Sequence, residues 1–148
     1  MSVERYFADP VVTPVPLPDG SDLAHHQALR AHRLVLPCCS SCGTWSWPPD
    51  VICHNCHTFG LEWTETEPVG RIYSWTRAWH AVRPQLATRL PYLLVLVELP
   101  GAGGVRLIGN LLGPAEREVS CGTPVRGVFE DSADGAYTLL QWTTDPED

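Results

Sequence analysis

Two Cys-x-x-Cys pairs constrain this chain more than any other feature. Cys39-Ser40-Ser41-Cys42 and Cys53-His54-Asn55-Cys56 stand ten residues apart, with Cys38 beside the first pair and a distant Cys121. The N-terminus reads as neither basic nor apolar enough for a secretory leader, so the expected compartment is the reducing cytoplasm. Clustered cysteines there hold metals rather than disulfides. Each turn aims two thiolates at one centre, and two such knuckles close a tetrahedral site. The expected ligands are Cys39, Cys42, Cys53 and Cys56, with Cys38, His54 or His57 as substitutes in register. Gly43 follows the first pair, where a positive φ completes the knuckle. Four protein ligands leave no position for water, so structural rather than catalytic zinc is expected. Four thiolates also accept iron, which keeps a rubredoxin-like electron carrier among the readings. Cys38 and Cys121 are read as small buried hydrophobes.

With 148 residues, 44% hydrophobic and 18% charged, the chain fits one globular domain or two small ones. No apolar run reaches the roughly 18 residues of a membrane span. All ten basic residues are arginine, and the formal net charge is −7. Nucleic-acid affinity comes largely from neutralised phosphates, so this balance argues against a general DNA or RNA binder. The chain lacks a GxGxxG motif, a P-loop and a GxSxG elbow. Glu65 and Glu67 fall in a polar stretch read as a linker, as solvated charges rather than an acid–base pair. No catalytic residue is assigned.

Pro10, Pro14, Pro16 and Pro18 make residues 1–20 an extended arm. Ser21 or Asp22 caps a short helix expected to run to about Arg33. Helix and ribbon together span 21–69, with Trp45 and Trp47 alternating on a short strand over the ribbon's small core. From residue 70 the pattern becomes that of strands: Arg71–Trp79, Tyr92–Leu99 as a buried run, Val105–Leu112, Pro124–Phe129 and Tyr137–Trp142. Gly109 suggests a bulge. Five short strands over 70–142 fit an OB-fold barrel, followed by an acidic tail at 143–148. The fold class is mainly β: a short helix, a rubredoxin-like zinc ribbon and a five-stranded OB-fold. Trp75, Arg77, Trp79 and His80, at the first barrel strand and its exit, are candidates for a partner or ligand surface, against the simpler reading that alternate ones fill the barrel.

The order of these parts resembles a bacterial and archaeal family in which a rubredoxin-like zinc ribbon precedes an acyl-CoA-associated OB-fold. The resemblance rests on Leu36 through Gly43, Trp47-Pro48-Pro49, Cys53 to Cys56, Glu62-Trp63, Gly70 through Thr76, Pro91-Tyr92, Val97 to Leu99, Gly109-Asn110-Leu111 and Gly122 through Arg126. It covers about residues 21–142. The Cys38-Cys39 doublet departs from the usual single cysteine.

The resemblance implies a non-catalytic accessory subunit of a thiolase-fold enzyme: an acyl-CoA thiolase, an acyltransferase or a retro-aldolase of steroid side-chain or lipid metabolism. It implies a hetero-oligomer in which this chain helps form the acyl-CoA site and the partner carries the catalytic residues. The competing reading is a single-stranded nucleic-acid-binding OB-fold module, which requires a basic groove with aromatic platforms.

Overall fold

The computed structural model describes residues 16–144. Residues 1–15 of the expected arm and 145–148 of the expected tail lie outside the described residues. Helix α1 (Leu23–Arg30) is shorter than expected. Asp22 sits at the N-cap position but caps no backbone N–H; its carboxylate instead accepts from His26 Nε2 at 3.2 Å. The helix ends because His32 takes φ 54° and the His32 and Arg33 N–H groups fold back onto the Leu29 and Ala28 carbonyls. This is a Schellman turn with histidine where glycine is usual. The barrel holds that conformation: the His32 ring stacks on Phe129 at 5.3 Å, and its Nε2 lies 3.0 Å from the Asp131 carboxylate.

The ribbon is framed by an antiparallel pair, β1 (Val35–Cys39) and β2 (Leu61–Glu65), with Val35 opposite Glu65 and Cys39 opposite Leu61. Strand β2 thus occupies part of the stretch read as a linker. Glu65 is solvent-exposed but engaged, accepting from Arg33 Nε at 3.0 Å and Nη2 at 2.6 Å. The strand expected at Trp45 and Trp47 reduces to one bridge between Trp45 and Cys38. Both rings reach beyond the ribbon and pack against a core shared with the barrel.

The barrel comprises β3 (Val69–Ala78), β4 (Tyr92–Leu99), β5 (Val105–Asn110), β6 (Pro124–Asp131) and β7 (Thr138–Thr143), in the order β5-β4-β3-β6-β7. A parallel bridge between Leu111 and Trp142 brings the end of β5 to β7, so the five-stranded sheet is nearly closed, with OB-fold topology. Strand β4 alternates rather than being buried on both faces. Leu93, Val95, Val97 and Leu99 point inward with Ile72, Leu107, Leu111, Val125 and Trp142, while Leu94 and Leu96 are half-buried.

Gly109 does not form the expected bulge. Pairing of β4 with β5 runs unbroken from Leu99–Val105 to Leu94–Asn110, and the register shift falls on β3, between Ile72 and Ser74. Gly109 is small because its neighbours leave no room: a Cβ there would lie 2.7 Å from the Leu140 carbonyl oxygen and 2.8 Å from the Trp142 ring. Gly109→Ala is therefore expected to cost about 1–3 kcal/mol, read as a lower urea midpoint with metal content unchanged.

His25 ties the helix to the ribbon. Its Nδ1 donates to the Val35 carbonyl at 3.0 Å, and its ring lies 4.4 Å from Trp47, centroid to centroid. Burial holds its pKa below the ordinary histidine range. The neutral ring is therefore favoured in the folded chain, while the unfolded chain takes up a proton as pH falls through about 6.5. The His25 contribution is full above that pH and is lost on acidification. Between pH 7.5 and 5.5 the wild type should lose more stability than His25→Asn. The metal site is common to both proteins and cancels when their urea midpoints are subtracted; parallel loss in the two would refute the assignment.

Candidate metal centre and exposed barrel face

The two Cys-x-x-Cys turns fold alike. In the first, Cys39 N–H donates to the Thr44 carbonyl and Gly43 N–H to the Cys39 carbonyl, both at 2.8 Å. In the second, Cys53 N–H donates to the Thr58 carbonyl and His57 N–H to the Cys53 carbonyl, both at 2.9 Å. Gly43 has φ 73°, as the spacing predicts, and His57 takes the equivalent position at φ 60°. The Thr44 hydroxyl lies 3.2 Å from Cys42 Sγ, and the Thr58 hydroxyl lies 3.1 Å from Cys56 Sγ. Sequence reasoning missed these threonines, although Cys-x-x-Cys-x-Thr occurs twice.

The Sγ atoms of Cys39, Cys42, Cys53 and Cys56 all lie within 4.8 Å of one another. Cys39–Cys56 and Cys42–Cys53 are each 3.6 Å apart. A zinc ion with bonds of about 2.3 Å separates tetrahedral ligands by roughly 3.8 Å, so the set fits zinc. The hydroxyl of Thr44, with its backbone and the Asn55 amide, brings the Cys42 thiol down to about 5. Hydrogen bonding from Thr58 lowers Cys39 as well. Thiolate, the ligand form, is thereby favoured at these two sulfurs. At Cys53 the backbone hydrogen bonds from Cys56 and Asn55 are outweighed by burial and the neighbouring thiols, and that thiol is raised. Cys38 lies outside the group and its thiol donates to the Gly43 carbonyl at 3.6 Å. His54 is likewise outside, its Nδ1 3.2 Å from the Ser46 hydroxyl, and His57 contributes backbone only. Cys38 is half-buried and Cys121 exposed, so neither is the fully buried hydrophobe expected; the β5–β6 connection carries Cys121 on the surface.

The four residues grouped at the first barrel strand divide in two. Arg77 lies 5.4 Å from the Trp75 ring centroid and donates to the Ala115 and Arg117 carbonyls at 2.8 and 2.7 Å, which fastens the β5–β6 connection. Trp79 is 66% exposed, and His80 is exposed beside it. Val82, Arg83 and Arg89, around the 3₁₀ turn Pro84–Arg89, share this exposed connection and escaped the sequence reading. A groove of about 450 Å³ between α1 and the barrel wall was also missed. Its lining, including Leu29, Trp47, Leu94, Ile108 and Leu140, comes from separate elements. No helix among the described residues is long and apolar enough to cross a membrane.

A family model described as the ChsH2 rubredoxin-like zinc ribbon domain matches residues 26–62, and one described as the ChsH2 C-terminal OB-fold domain matches residues 63–130. A chain of the solved structure described as "Ltp2-ChsH2(DUF35) aldolase" is 32% identical to this one at a TM-score of 0.74, and the match covers 88% of this chain and 98% of that one. This chain belongs to the ChsH2 (DUF35) family. A DUF35-family protein of unknown function from Sulfolobus solfataricus shares the fold, at 16% identity and a TM-score of 0.59, over 86% of this chain and 87% of that one. A probable enoyl-CoA hydratase alpha subunit of Thermomonospora curvata is 36% identical over 99 residues. That match takes in 67% of this chain and 30% of the relative, so the chain spans under a third of its length.

In this ChsH2-family ribbon the closed thiol set is a structural centre, with no vacant position for a reacting group. Serine at Cys39, Cys42, Cys53 or Cys56 should abolish stoichiometric zinc and unfold the ribbon, whereas Cys38→Ser should keep one zinc per chain by elemental analysis. Thr44→Val and Thr58→Val, which remove supporting hydroxyls, should weaken zinc affinity about 10–100-fold in competition with a chelator. A red, iron-loaded protein from native cells would replace this assignment with the electron-carrier reading.

Proposed function

We propose that this chain is a non-catalytic accessory subunit of a cytoplasmic thiolase-fold enzyme, an acyl-CoA thiolase, acyltransferase or retro-aldolase, and that it helps form the enzyme's acyl-CoA site. The observation that carries this reading is the match to almost the whole of a chain in a structure described as an Ltp2-ChsH2(DUF35) aldolase. The Thermomonospora relative, named for enoyl-CoA chemistry, supports the acyl-CoA class.

The chemistry of the described residues agrees. Carbon–carbon cleavage or formation on a thioester needs a nucleophile or base placed at a substrate cavity. His25 is buried with its Nδ1 on a backbone carbonyl, and His32 and Asp131 are spent in joining α1 to β6. The cysteines that converge do so at a closed metal site. The reacting groups then belong to a partner, and this chain supplies walls and orientation.

Affinity purification of the tagged chain from its native host tests the proposal. A stoichiometric thiolase-fold protein with one zinc per chain is expected in the eluate, with acyl-CoA turnover by the complex and none by the chain alone. Carbon–carbon bond cleavage by the isolated chain, or recovery of the chain without a partner, would overturn it.

A further inference from the structure

Half of the ten arginines, Arg71, Arg77, Arg83, Arg89 and Arg106, lie between Pro68 and Ala115, where Glu98 is the one acidic residue in a chain of net charge −7. The fold gives these arginines different tasks. Arg71 donates to the Gly122 carbonyl, Arg77 holds the β5–β6 connection, and Arg106 pairs with Glu98 at 2.9 Å while stacking 3.5 Å over the Tyr73 ring. Arg83, which is exposed and has an interaction of its own within the chain, and Arg89, which is half-buried, lie on the β3–β4 connection, which has no acidic residue from Trp79 to Pro91. On the same connection Trp79 is 66% and Val82 84% exposed. A large ring and a branched aliphatic side chain held in water within four residues, with guanidinium groups beside them, have the make-up of interface anchors.

The neighbouring backbone adds a second observation. Strand β4 pairs with β3 from Arg71 to Ala78, but β6 pairs with it only over Val69–Arg71. Among the described residues, one edge of β3 from Ser74 to Ala78 therefore has no strand beside it. A polypeptide can complement such an edge group for group.

We propose that the β3–β4 connection, together with this edge of β3, is the face that docks on the enzyme subunit, through an acidic partner surface with an apolar recess. Trp79 and Val82 enter the recess, and Arg83 and Arg89 meet carboxylates at its rim. Charge decides the orientation: an acidic partner is drawn to this segment and repelled by the acidic remainder of the chain. A protein fits better than a nucleic acid, whose affinity grows with the number of phosphates neutralised. The inference rests on the accessory-subunit reading and adds where the partner binds.

The test uses the full tagged chain in native cells and compares wild type with W79A/V82D, R83E/R89E and a distant control, V51S. Circular dichroism and one retained zinc per chain establish that each variant folds. Wild type and V51S are expected to recover the thiolase-fold subunit stoichiometrically. W79A/V82D should lose at least 90% of it, and R83E/R89E should lose most of it at 50 mM salt and regain part of it at 200 mM, where the new repulsion is screened. Folded variants that still recover the subunit stoichiometrically would overturn the docking face and leave the accessory-subunit reading standing. A wild-type chain that recovers no such subunit would overturn both. Micromolar binding of a (dT)20 oligonucleotide by wild type, lost in both face variants, would assign the face to single-stranded nucleic acid and overturn the protein-docking proposal.

Discussion

The structure depends on the meeting of four sulfurs. The segment between β1 and β2 has little apolar material of its own to bury, and its two loops have no ladder to hold them. Convergence of Cys39 and Cys42 with Cys53 and Cys56 draws these loops together. A structural zinc in such a unit is worth about 10–16 kcal/mol, more than any side-chain contact nearby. The hydroxyls of Thr44 and Thr58 lie against the Cys42 and Cys56 sulfurs, and the amide of Asn55 donates to Cys42. The site thus favours thiolate at Cys39 and Cys42, though not at Cys53, before any ion arrives.

What the sulfurs fix, the barrel uses. Trp45 and Trp47 stand between the two knuckles and are presented outward by them. Trp45 comes down on the β4–β5 turn, where a Cβ on Gly103 would lie 3.0 Å from the ring, and Trp47 lies against His25. Leu29, Leu34 and Leu36 join Ile72, Leu107 and Trp142 in one buried cluster. Ribbon and barrel therefore share a core, and α1 is held at both ends: by His25 on the Val35 carbonyl and by His32 on Phe129 and Asp131. An eight-residue helix has little stability alone; here its contacts with the barrel and ribbon supply it.

Local chemistry made much of this legible. The Cys-x-x-Cys spacing specifies the ligands because a tight turn can present two sulfurs to one centre wherever the turn is placed. Alternating β-formers and Gly/Pro punctuation located the barrel strands, and Tyr92–Leu99 agrees at both ends. The readings that failed depended on distant partners. The role of Gly109 comes from Trp142 and Leu140, some thirty residues on. Glu65 looked like linker because its strand partner, Val35, and its ion-pair partner, Arg33, lie about thirty residues before it. The end of α1 was misplaced because nothing local marks His32 for a left-handed turn that Phe129 and Asp131 stabilise.

The sequence by itself determined which four cysteines converge, the mainly β character and the order of ribbon before barrel, since turn geometry, side-chain alternation and chain order are local properties. Only the tertiary structure decided which groups Arg71, Arg77 and Arg106 engage, why Gly109 must be small, and that Trp45 and Trp47 belong to a shared core. Those outcomes depend on which surfaces meet, and the meeting is set by burying one common apolar cluster rather than by any short stretch of chain.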